Sequence, residues 1–102
     1  MAVRAVYLAL VEEDTPHNYG LWVPDVPGLT VAASSMVELL EEAEIALASH
    51  IHLLRETGRP VRAPRSRTEL LKDPVVQADN EAMAWTLVRH RTELTELPEA
   101  AE

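Results

Sequence analysis

The sequence predicts an α+β fold: an antiparallel three-stranded meander, one long helix packed on the sheet, and a fourth strand near the C-terminus. Three features carry that prediction. Short alternating apolar runs come first, then a single amphipathic stretch, then one more alternating run. The segment Tyr19-Gly-Leu-Trp-Val-Pro-Asp-Val-Pro-Gly28 reads as an aromatic strand entering a proline-locked turn. Ser35 and Glu38 have the spacing of a capping box at the start of the long stretch.

Ala2 to Glu12 alternates as a strand. Val3, Ala5, Tyr7, Ala9 and Val11 share one face, and Val6, Leu8 and Leu10 share the other. Both faces are apolar, so this strand is expected to be central and covered on two sides. A polar turn, residues 12–18, leads to a second strand, Tyr19 to Val23, close enough to form a hairpin. Pro24 and Pro27 lack amide donors and fix φ near −65°, so the segment between them is a turn. Gly28 can supply a positive φ there at no steric cost, and Asp25 can accept turn amides. Leu29 to Ala33 is the third strand.

The helix opens at Ser35, carries Glu38, Glu41, Glu42 and Glu44 near its positive end, and stops at Gly58 and Pro60. Met36, Leu39, Leu40, Ala43, Leu47, His50, Ile51 and Leu54 form the stripe expected to meet the sheet. Ile45 and Leu53 point elsewhere and are candidates for an oligomer interface. A loop follows with Arg59, Arg62, Arg65 and Arg67, then a short helix from Thr68 to Lys72 capped by Ser66 and ended by Pro74. Ala82 to Arg91 is the last strand. The organisation is one domain over residues 1–92, with 58–81 inserted before the last strand, and an acidic tail, 93–102.

The 102 residues suffice for one modest core, and the absence of Phe makes that core aliphatic. Seventeen acids against nine bases give a net charge of −8. That charge disfavours nucleic-acid binding by the bulk of the surface and suits a basic protein partner. No cysteine is present, which removes disulfides, thiolate nucleophiles and thiolate metal sites. No run approaches the roughly 18 apolar residues that span a bilayer. No basic, apolar leader precedes the first strand, so the expected location is the cytoplasm, free of membrane.

A metal-dependent nuclease would need carboxylates that converge on metal ions. The first strand has acids only at its end, Glu12, Glu13 and Asp14. His50 and His52 diverge by about 200° on a helix and cannot share a metal. No catalytic residue, metal site or cofactor is therefore expected. The arginine loop lacks interleaved aromatics; it suits a solvated loop or an ion-pair donor to the acidic helix better than a nucleic-acid contact.

The order of strand, polar turn, Tyr19-Gly-x-x-x-Pro-Asp-x-Pro-Gly28, short strand and Ser-capped acidic helix closing at Gly58-x-Pro60 resembles the HicB antitoxin family. The resemblance covers roughly Val3 to Pro64. It implies a partial ribonuclease-H-like fold, with Ala82 to Arg91 as its fourth strand. It also implies a non-catalytic role: neutralising a small basic toxin, HicA, an mRNA-cleaving protein with a double-stranded-RNA-binding fold. Where many relatives continue Gly-Cys after the turn, this chain has Gly28-Leu29. The roughly ten residues after the last strand are too few for the ribbon-helix-helix or helix-turn-helix module that many relatives carry, so operator binding is not expected of them. On this basis the expected partner-facing residues are Tyr19, Trp22, Asp25, Glu12, Glu13 and Asp14. The alternative is an orphan HicB-fold module that forms a homo-oligomer (dimer or tetramer) and serves without a toxin.

Overall fold

The computed structural model describes residues 6–79 and 82–90. Four strands, β1 (Val6–Thr15), β2 (Asn18–Trp22), β3 (Thr30–Ala33) and β4 (Ala82–Arg89), form one antiparallel sheet in the order β3-β2-β1-β4. The long helix α1 (Met36–Glu56) lies across one face. The short helices α2 (Arg67–Leu70) and α3 (Pro74–Gln77) come between α1 and β4. The proposed tail, residues 93–102, and the domain limits at both ends lie outside the described residues.

Alternation along β1 decides both layers. Tyr7, Ala9 and Val11 pack with Leu21, Val23, Val88 and the α1 residues Leu39, Ala43, Leu47 and Ile51 in the main core. Leu10 points the other way and packs with Leu70 and Val76, with Leu8, Trp22, Ala82 and Trp85 around them. The expected central strand covered on both faces is thus present. Its second cover is a thin one, made by the segment that carries α2 and α3.

Local signals explain the ends of the elements. Ser35 accepts from the Glu38 amide and caps α1. At the other end the Gly58 amide donates to the Arg55 carbonyl and the Arg59 amide to that of Leu54, with Gly58 at φ 75°, a Schellman stop. The expected helix from Thr68 to Lys72 begins and ends slightly earlier, with the full Ser66–Glu69 capping box. Pro74 does more than end it. Asp73 caps a further turn of helix in which Pro74 occupies the first turn, a position where its missing amide costs nothing. That helix was not expected from the sequence.

Candidate functional site

The proline segment folds as two consecutive turns. The Val26 amide donates to the Val23 carbonyl, and the Leu29 amide to the Val26 carbonyl. Each turn has proline at its second position, and the second places Gly28 at φ 90°, the pattern of a type II turn. A ring nitrogen of His50, on α1, lies 3.1 Å from the Pro27 carbonyl oxygen and fixes the turn against the helix. His50 therefore has a structural partner, as its place on the apolar stripe suggested.

Asp25 is 2% exposed. One carboxylate oxygen accepts from the Arg65 amide at 2.7 Å; the other accepts from Arg65 Nε at 2.6 Å and, at 3.4 Å, from Arg62. Arg65 continues to Asp73 at 2.9 Å, so the turn, the loop before α2 and the cap of α3 share one ionic chain. The expectation that Asp25 faces a partner is therefore corrected: its oxygens are filled by donors some 40 residues away in the chain. The arginines do not pair with the acidic helix either. Arg62 and Arg65 serve Asp25, and Arg67 stacks 5.4 Å from the Trp85 ring centroid.

The Arg65 guanidinium is held further in its charged form by hydrogen bonds to Asp25 and Asp73. Asp73 is held below the usual carboxylate range, first by the Val75 amide and then by Arg65. Glu69 is lowered in the same way by the Ser66 amide and hydroxyl. The shifts of Arg65 and Asp73 favour the charged forms that the ionic chain uses, and that of Glu69 the charged form that the Ser66 cap uses.

The remaining expected residues divide between the two ends of β2. Trp22 is half-buried on the second face, and its indole N–H donates to Asp79 at 2.7 Å. Tyr19 is half-buried against the main core at the opposite end. There the register places Glu13 beside Tyr19 and Tyr19 beside Ala33, one row across three strands. Ala33 and Ser34 in turn line a hollow with Glu38, Glu41 and Glu42. Glu13, Asp14, Glu38, Glu41 and Glu42 are exposed, and Glu12 is half-buried. From residue 5 to residue 54 the sequence has eight acids and no Lys or Arg, so nothing on these elements neutralises that end. Sequence reasoning named the hairpin acids but did not join them to the helix glutamates, because only the β2–β3 register brings the two groups together. Ile45 and Leu53 are 65% and 56% exposed on α1. Among the described residues no three of the His, Asp and Glu side chains gather as metal ligands, and no helix is long and apolar enough to cross a membrane.

A family model described as the HicB-like antitoxin of bacterial toxin–antitoxin systems matches residues 7–100. The chain belongs to that family. Among solved structures, this HicB-like chain is 28% identical to the N-terminal domain of the antitoxin HicB of Burkholderia pseudomallei, with a TM-score of 0.62 over 81% of this chain and 94% of that one. Against the B. pseudomallei antitoxin HicB in a second structure, identity is 26% and TM-score 0.63, covering 81% of this chain and 61% of that chain. A chain of a toxin–antitoxin complex from Streptococcus pneumoniae shares the fold at TM-score 0.65 and 20% identity, over 85% and 69% of the two chains. A chain of a HicA3–HicB3 toxin–antitoxin complex does so at 0.63 and 23%, over 81% and 94%. No curated protein sequence matches. The HicB-like assignment names an antitoxin role and no catalytic one.

Proposed function

We propose that this HicB-like chain is the antitoxin of a type II pair, acting in the cytoplasm, and that it neutralises a small, basic, mRNA-cleaving HicA-like toxin by covering its working surface. The observation that carries the proposal is the family match over residues 7–100. The charge pattern supports it and suggests where the toxin sits. Glu13, Asp14, Glu38, Glu41 and Glu42 surround the row that contains Tyr19, an acidic end suited to a cationic partner. Tyr19 offers an amphipathic ring beside those charges. Glu12, on the same hairpin, completes the contact set.

Co-expression with a small basic reading frame that adjoins the gene of this chain tests this. Rescue of growth with co-purification of the two proteins is the expected result; continued growth arrest, with the proteins migrating separately, rejects it. A toxin-free homo-oligomeric module is the second reading, favoured by the exposure of Ile45 and Leu53. A chain that assembles through α1 and captures no basic partner would establish it.

A further inference from the structure

At the C-terminal end of α1 a cleft of about 470 Å³ lies between the proline turn and the loop that follows the helix. Val26, Leu54, Pro60 and Val61 give it an apolar lining, and Arg59 and Arg62 are its two cations. That size, with apolar walls and few charged groups, is the ordinary makeup of a small-molecule site. The acidic hollow is at the other end of the helix. Residues 42 and 54 are separated along α1 by about 18 Å at 1.5 Å per residue, so a surface suited to a basic partner does not include the cleft.

Both arginines are held by their backbone and not by their side chains. The Arg59 amide donates to the Leu54 carbonyl at 2.8 Å, and the Arg62 carbonyl accepts from the Tyr7 hydroxyl at 2.6 Å. Arg59 is exposed, and its guanidinium has no ion pair or hydrogen bond among the described residues. The Arg62 side chain is 55% exposed and reaches Asp25 only at 3.4 Å, whereas Arg65 meets both oxygens of that carboxylate at 2.6 and 2.7 Å. Asp25 also lines the cleft, but Arg65 already offsets its charge. The last carbonyls of α1 do not oppose an anion either, because Leu53, Leu54 and Arg55 accept from Thr57, Arg59 and Gly58.

We propose that this cleft binds a small amphipathic carboxylate, its aliphatic body against Val26, Leu54 and Val61 and its head on the guanidinium groups of Arg59 and Arg62. The two arginines select the head: their planar forks have donors to spare and match the paired oxygens of a carboxylate. The lining selects the body. Each methylene it buries adds about fourfold in affinity, a gain closed to a bare ion. A basic protein is excluded from this end by like charge.

The test titrates octanoate into the full chain and follows amide resonances. Saturable shifts should centre on Val26, Leu54, Arg59, Val61 and Arg62, with half-saturation at or below about 1 mM. Acetate and inorganic phosphate lack the body and octanol lacks the charge; each should bind at least about tenfold more weakly. Arg59→Gln and Arg62→Gln should each weaken octanoate by about tenfold. Should Arg62→Gln fail to fold, Arg59→Gln decides alone, since that side chain has no partner among the described residues to lose. Octanol or phosphate binding as tightly as octanoate overturns the proposal. So does an octanoate affinity unchanged in Arg59→Gln, or shifts that spread over the surface without saturating. Silence across the whole series overturns it too, whether a second copy, the acidic residues 93–102 or nothing at all fills the cleft.

Discussion

Asp25 is a carboxylate with almost no access to water, and its worth lies in what it holds. Removing it would leave the Arg65 amide and guanidinium, and part of Arg62, without their acceptor in a region that water reaches poorly. Asp25→Ala should therefore lower stability by about 3 kcal/mol, read from the urea midpoint, while binding through the hairpin end survives in the fraction that folds. A loss below about 0.5 kcal/mol would contradict the internal role. Asp73 of this ionic chain and Glu69 of the neighbouring Ser66 cap set a pH dependence. Asp73 and Glu69 have folded values below those of an unfolded carboxylate, so their contribution is complete above the unfolded value, near pH 4, and is lost as pH falls through the lowered folded values. Stability should be flat from pH 7 to about pH 5 and decline below it. Asp73→Asn should be less stable at pH 7 and show a shallower acid decline in chemical denaturation.

Among the elements, the two covers of the sheet differ in thickness. α1 buries Leu39, Ala43, Leu47 and Ile51. The segment with α2 and α3 buries only Leu70 and Val76, and holds on through Trp22 to Asp79, Arg67 on Trp85 and the Asp25–Arg65–Asp73 chain. Amides of residues 66–79 should accordingly exchange with solvent at a lower opening free energy than those of β1 and α1. Equal protection of both would show that the second cover unfolds only with the whole domain. This difference also marks what was legible beforehand. The four strands, the capped helix and its stripe follow from periods of 2 and 3.6 and from caps that act within three or four residues. α3 was missed because Pro74 reads as a stop unless Asp73 is recognised as its cap. The partners of Asp25 were missed because no local pattern links a carboxylate to an arginine 40 positions later. The hydrogen bond of Trp22 to Asp79, 57 residues away, escaped the sequence for the same reason.

At the scale of the whole molecule, charge is sorted by position. β1, the proline turn and α1 carry eight acids without Lys or Arg from residue 5 to residue 54, and four arginines, Arg59, Arg62, Arg65 and Arg67, cluster between α1 and the start of α2. A basic partner would be steered toward the hairpin and the start of α1. The Glu13→Lys/Asp14→Lys double variant should slow association with such a partner by roughly tenfold at low salt, and by less as ionic strength rises. A slowdown of equal size at all salt concentrations would point to lost packing around Tyr19 rather than lost steering. Occlusion itself is tested most directly by titrating the purified chain into an RNA-cleavage reaction run by a small basic HicA-like toxin, where one is encoded beside this chain. Cleavage should fall in proportion to added chain and stop near stoichiometric equivalence. Undiminished cleavage in a several-fold excess of folded chain would contradict the antitoxin assignment.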